Sequence, residues 1–207
     1  CKLPADGFVF CSFNNNYKDT PAMFEVWMRL LKAVPGSVLW FLAGNPFVSA
    51  NLQKEAEACG VAAQRLVAAS RLPLPEHLAR HRLADLFLDS FPYNAHTTTS
   101  DALWAGLPVL TLAGRTFASR VAGSLLRTIG LPELITTSLE DYEAMALRLA
   151  RNPGLLADLR TRLESNRKTC GLFDGGQFAR NIEKAYVAMW EIYMAGEKPR
   201  AFTVSPT

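Results

Sequence analysis

Short apolar runs alternate with amphipathic segments along the first part of the chain, up to about residue 137. Gly7 to Phe13, Ser37 to Leu42, Arg65 to Ala69, Asp85 to Asp89, Pro108 to Leu112 and Leu134 to Thr136 each have the length and content of a strand. The longer of these runs are apolar almost throughout. That pattern predicts strands buried on both faces, as in a parallel sheet covered by helices. Between them, helices are predicted over 21–34, 50–59, 75–82, 98–105 and 116–129. In the first, Phe24, Trp27, Met28 and Leu31 fall on one face at the helical spacing. Pro35-Gly36, Gly60 and Gly130 stand where helices should stop.

From residue 138 onward the pattern is helical only, over 138–151, 153–169 and 175–195. The last of these carries Phe178, Tyr186, Trp190 and Tyr193, which read mostly as core, with a neighbouring domain as an alternative partner. The expected fold is an α/β, Rossmann-like doubly wound parallel sheet over about 1–137 with a helical C-terminal tail over about 138–207. The start at Cys1, without Met and inside a loop-like stretch, is expected of a fragment of a longer polypeptide or of a processed chain.

Composition narrows the function. The 207 residues are 49% hydrophobic and 20% charged, ordinary for a soluble globular chain. A net charge of +3, from scattered Lys and Arg, is too mild to argue for nucleic acid. No apolar run approaches the roughly 20 residues of a membrane span. The cysteines at 1, 11, 59 and 170 form no C-x-x-C pair, so zinc is not indicated, and Cys11 reads as a small core residue. The pattern suits a reducing compartment.

Ligands of such sheets lie beyond the carboxyl ends of the strands. Two loops there carry unusual chemistry: Asn14 to Thr20 after the first strand, and Phe91 to Ser100 after the Asp85 to Asp89 strand. A helix starting near Thr98 offers unpaired backbone N–H groups and a positive dipole end. The hydroxyls of Thr97, Thr98 and Thr99 add donors, and Lys18 adds a point charge, so a phosphate fits. The plainer alternative is that the threonines and Asp101 only cap and charge-match the helix. His96 is likewise open to being an ordinary surface histidine, and Lys18 a solvated loop lysine. All three histidines, His77, His81 and His96, fall within 20 residues, which favours a nucleotide site.

The commoner phosphate motifs are missing. There is no G-x-x-x-x-G-K-[ST], no G-x-G-x-x-G after the first strand, no Asp-x-Asp and no G-x-S-x-G. What remains is a phosphate site without a metal, made from a helix N-terminus, hydroxyls, His and Lys.

The run His96-Thr-Thr, followed by Asp101 and by Leu103-Trp-Ala-Gly-x-Pro108, closely resembles the C-terminal catalytic lobe of the O-GlcNAc transferase and SPINDLY family, its bacterial homologues included. Supporting stretches are Phe13-Asn-x-x-Tyr-Lys18, Val34-Pro-x-Ser-Val-Leu-Trp40, Glu76-His77, Leu83-Ala-Asp85, Ala118-Ser-Arg-Val-Ala122 and Met189-Trp190. They run in the family's order over nearly the whole chain.

The resemblance implies one lobe of a two-lobed GT-B glycosyltransferase, with the N-terminal lobe and tetratricopeptide repeats outside this chain. It implies an inverting, metal-independent transfer of GlcNAc from UDP-GlcNAc to Ser or Thr of a protein acceptor in the cytoplasm, with no cofactor. By the same resemblance, Lys18 and the His96-Thr97-Thr98 run hold the pyrophosphate, Lys18 being the catalytic cation. Asn15 stands where many relatives have a phosphate-binding Gln. His77 corresponds to a histidine stacked on uracil, Arg80 to a neighbouring nucleotide contact, and Asp101 to an acid on the ribose hydroxyls. Leu74 replaces a lysine that some members carry near the ribose. The groups proposed in the family to take the acceptor's proton lie on the other lobe or on the donor. The alternatives are a related transferase using UDP-glucose or a GDP-sugar, a non-catalytic nucleotide-binding module, and a sugar-nucleotide epimerase or hydrolase. The joint presence of Lys18, His77, His96 and Asp101 weighs against the non-catalytic module.

Overall fold

The computed structural model describes residues 3–205, so Cys1 lies outside it. The strands are β1 (Val9–Ser12), β2 (Val38–Leu42), β3 (Leu66–Ala69), β4 (Leu86–Leu88), β5 (Val109–Leu112) and β6 (Ile135–Thr136). They form one sheet in the order β3-β2-β1-β4-β5-β6, and every neighbouring pair is parallel. Every residue of β1, β2, β4 and β5 is buried. Their unbroken apolar content follows from this, since helices cover both faces. The sheet grows outward in both directions from the β1–β4 pair, where Phe10 registers with Leu86. Such a reversal of strand order leaves a crevice at the carboxyl ends of the two strands.

The helices are α1 (Pro21–Ala33), α2 (Pro46–Ala58), α3 (Leu74–Arg80), α4 (Thr97–Trp104), α5 (Val121–Thr128), α6 (Leu139–Arg151), α7 (Pro153–Asn166) and α8 (Gly175–Met194). Two begin elsewhere than the sequence pattern suggests. α2 starts four residues early, because Asn45 caps it by accepting from the Val48 N–H at 3.0 Å. Pro46 then occupies a first-turn position where its missing N–H costs nothing. α5 starts late, because the Thr116–Ser119 segment closes a turn of its own. There the Thr116 N–H donates to Ser119 Oγ at 3.1 Å, and that hydroxyl donates to Thr116 O at 3.0 Å.

The helices after residue 137 divide by packing. α6 and α7 supply Tyr142, Leu149, Leu159 and Leu163 to the same core as the sheet. The Arg29–Glu143 ion pair also joins α1 to α6, but both side chains are partly exposed. Such a pair contributes about 1 kcal/mol at most, less than one buried Leu. α8 behaves differently. It has no buried residue, and Phe178, Tyr186, Trp190 and Tyr193 are 61–70% exposed. The expectation that these aromatics belong to the core is therefore corrected: their helical spacing is amphipathic, but their apolar face meets solvent in this chain.

Before β1, Gly7 has a φ of +125°, and a Cβ there would stand 2.3 Å from the Gly36 carbonyl oxygen. Gly7→Ala is expected to destabilise the chain by at least about 2 kcal/mol in urea unfolding. Gly44→Ala, where a Cβ meets nothing within 4 Å, should stay within about 0.5 kcal/mol of the parent.

Candidate functional site

The loops after β1 and β4 meet in the crevice between those strands. The contact is made by a buried polar cluster. Asp89, fully buried just after β4, accepts at Oδ1 from the Ala95 N–H (2.6 Å), the Ser90 N–H (2.8 Å) and Asn14 Nδ2 (3.2 Å). Its Oδ2 accepts from the Thr111 hydroxyl at 2.6 Å. Burial pushes the Asp89 carboxyl up to about 7, against the pull of these donors. Asn14 also donates to Ser90 Oγ at 2.9 Å and accepts from the Thr98 hydroxyl at 2.6 Å. Thr20, the cap of α1, adds a second tie by donating to Phe91 O at 3.2 Å. The peptide bond that follows, Phe91–Pro92, is cis.

The outer face of this cluster carries the predicted anion site. Lys18 donates from Nζ to Asn94 O at 3.0 Å and lies 4.1 Å from the centre of the Tyr93 ring. Two of its three protons remain available. Burial lowers its pKa, while the Asp89 and Asp19 charges oppose the shift. The Tyr93 ring in turn stacks on His96, with centroids 5.2 Å apart. Asn15 lies further out, exposed, and accepts from Arg71 at 3.1 Å.

Side-chain capping of α4, the plainer of the two readings of this stretch, is not what the structure shows. His96 occupies the cap position, but its side chain makes no cap bond. The first intrahelical bond runs from the Ser100 N–H to His96 O at 3.1 Å. The N–H groups of Thr97, Thr98 and Thr99 thus come before the helical ladder. The threonine hydroxyls are not equivalent donors either, as the sequence alone would suggest. Thr98 donates to Asn14, and Thr99 donates back to Ala95 O at 3.2 Å. Thr97 is exposed. His96 Nε2 lies 3.3 Å from Ala118 O, an atom that can only accept, so this nitrogen carries the proton in the neutral ring.

A second group gathers at α3. Arg80 is 6% exposed, donates to Ser70 O at 2.7 Å and stacks on Phe13 at 4.4 Å. It also donates to His77 Nδ1 at 2.5 Å. A guanidinium has no acceptor atom, so the His77 proton sits on Nε2. Burial and then the Arg80 charge keep the His77 pKa below its usual value. His81 differs from the other two histidines: it is fully buried and bonds His77 O at 2.8 Å. The clustering of three histidines therefore reduces to two partly exposed rings and one core ring. Asp101, on the first turns of α4, is partly exposed, and burial raises its pKa.

Among the described residues no group of three or more His, Cys, Asp or Glu is placed to hold a metal ion. A cavity of about 800 Å³ opens at the far end of α4, between Leu78, Arg82, Trp104, Arg167 and Phe173, and none of the predicted site residues lines it. Sequence reasoning missed Asn14, Asp89, Ser90 and Tyr93. An Asp at a strand end and the first Asn of a polar loop do not show what they contact, and only the strand order brings them together.

Residues 1–182 match glycosyl transferase family 41. The chain belongs to that family. It is 39% identical over 203 residues to the probable UDP-N-acetylglucosamine–peptide N-acetylglucosaminyltransferase SEC of Arabidopsis thaliana, covering 98% of this chain and 21% of the relative. It is 35% identical to the UDP-N-acetylglucosamine–peptide N-acetylglucosaminyltransferase of Caenorhabditis elegans, covering 94% of this chain and 17% of the relative. A solved O-GlcNAc transferase variant from Thermobaculum terrenum superposes with a TM-score of 0.85 at 38% identity, over 90% of this chain and 37% of that one. The fold is thus a lobe of a GT-B glycosyltransferase. The chain spans about a fifth of the length of the curated relatives.

The buried ring of His81, its pKa lowered by burial to about 4, has a consequence for stability. Between pH 6.5 and 4 the unfolded chain binds a proton on His81 that the folded chain does not. Its contribution to stability is intact above pH 6.5 and falls as the pH drops through that window. His81→Gln is expected to lose less stability than the parent between pH 7 and pH 4.5, by up to about 2 kcal/mol in urea unfolding.

Proposed function

We propose that this chain is the nucleotide-sugar-binding half of an inverting, metal-independent protein O-glycosyltransferase that moves GlcNAc from UDP-GlcNAc to Ser or Thr. The observation that carries this reading is the convergence of Lys18 and the uncapped N-terminus of α4 on one crevice, in a chain of family 41. As the glycosidic bond breaks, negative charge grows on the β-phosphate of the leaving UDP. A fixed cation and preorganised N–H and O–H donors stabilise that charge without a metal. In this reading Lys18, Thr97, Thr98 and His96 face the diphosphate, with Asn15 at its edge. His77 and Arg80 face the base, and Asp101, an acceptor when ionised, faces the ribose hydroxyls.

The acceptor protein, the N-terminal lobe and the tetratricopeptide region are the partners of this reading. In this reading the N-terminal lobe and the tetratricopeptide region belong to a longer polypeptide, in keeping with a chain that covers 21% and 37% of two of its relatives. No helix among the described residues is long and apolar enough to cross a membrane, and a cytoplasmic setting is part of the proposal.

Calorimetric titration of UDP into the 207-residue chain in the presence of EDTA tests it. Binding is expected, and Lys18→Ala should weaken it by about tenfold or more, the worth of a hydrogen bond to a charged group. Absence of UDP binding by the parent chain would count against the reading.

A further inference from the structure

The hydrogen-bond polarity of the buried cluster is fixed atom by atom. It sorts the three threonines of α4 into different roles. Ser90 Oγ lies 2.9 Å from Tyr93 O, which can only accept, so the Ser90 proton is committed there. Ser90 Oγ must then accept from its other partner, Asn14, at 2.9 Å. Asp89 Oδ1 imposes the same orientation. It already accepts two backbone N–H bonds, and a proton taken up by Asp89 would sit on Oδ2, beside Thr111. Two neighbours therefore turn the Asn14 amide so that its nitrogen points inward and its oxygen outward. The outward Oδ1 meets Thr98 Oγ at 2.6 Å. Thr98 can only be the donor in that bond.

We infer that Asn14 and Thr98 are positioning residues, and that Thr98 does not donate its hydroxyl proton to the ligand. The Asp89–Asn14–Thr98 chain holds the first turn of α4 against the β1 loop. Thr99 is likewise committed, to Ala95 O. The donors left at this helix end are the Thr97 hydroxyl and the backbone N–H groups. This inference rests on the reading of a nucleoside diphosphate at α4, and it deepens that reading by assigning which threonine meets the anion.

A double-substitution cycle on UDP affinity in the 207-residue chain tests it. If Thr98 acts through Asn14, Thr98→Val and Asn14→Ala each weaken UDP binding about tenfold, and the double variant is no weaker than the worse single one. Thr98→Ser, which keeps the hydroxyl, restores parental affinity. A double variant weakened about a hundredfold, the product of the two, would show that Thr98 touches the ligand itself and would overturn the inference. Should Asn14→Ala fail to fold, low-temperature proton NMR of the UDP-saturated parent gives the second reading. A Thr98 hydroxyl proton near Asn14 in both free and bound chains supports the inference, and one coupled to 31P sinks it. A parent chain that does not bind UDP overturns the functional reading and this inference with it. Binding with additive losses overturns this inference alone.

Discussion

The carboxylate of Asp89 is the constraint around which the rest is arranged. It is fully buried and takes four donors from three separate segments: the β1 loop, the loop leading to α4, and β5. Removing a buried acceptor of this kind strands each donor, at a cost of about 1–3 kcal/mol apiece. The loops it joins are more than 70 residues apart in sequence. They become neighbours only because β1 and β4 pair at the point where strand order reverses. Tyr142, fully buried on α6, donates to Asp89 O at 3.0 Å and ties that helix to the same residue. Strand order creates the crevice, and the Asp89 cluster fixes its shape.

Much of the fold was legible in the chain because the physics behind it is local. Continuous apolar runs mark buried parallel strands, and all six were readable. Helix ends were readable where a glycine or proline sets them. The failures also have local causes. The start of α2 was missed because Asn45-Pro46 reads equally as a turn or as a cap followed by a first-turn proline. The tail aromatics were misassigned because spacing shows that a helix has an apolar face, not what covers it. The meeting of the Lys18 loop with the His96 run was legible in outline, through the family resemblance and the strand-end rule. Its supporting layer was not, because Asn14 and Asp89 matter only through a contact that strand order creates.

Lys18 shows how surroundings turn an ordinary loop lysine into an effective charge. Its ammonium is held by one carbonyl and one aromatic ring, so it stays in place while keeping two protons free. Partial burial disfavours its charged form, and the nearby Asp89 and Asp19 charges oppose that shift. A partly desolvated cation acts on a neighbouring anion more strongly than one in bulk water, because the local dielectric is lower. The helix end next to it carries no side-chain cap. A side-chain cap would satisfy the N–H groups and remove them as donors to an anion.

The two ends of the crevice are built to opposite electrostatic rules. At the α4 end, Lys18 and the first-turn N–H groups, which lack a side-chain cap, present positive charge. At the α3 end, Arg80 is also cationic, but it is spent on Ser70 O, His77 and the face of Phe13. Burial first, and then the Arg80 charge, disfavours protonation of His77, and the Arg80 donor fixes the ring proton on Nε2. The ring is held edge-on against Phe13 and His81. Two basic residues thus stand in different settings: Arg80 is buried against Phe13 and paired with His77, whereas Lys18 is partly exposed, with one hydrogen bond to Asn94 O and one ring contact to Tyr93.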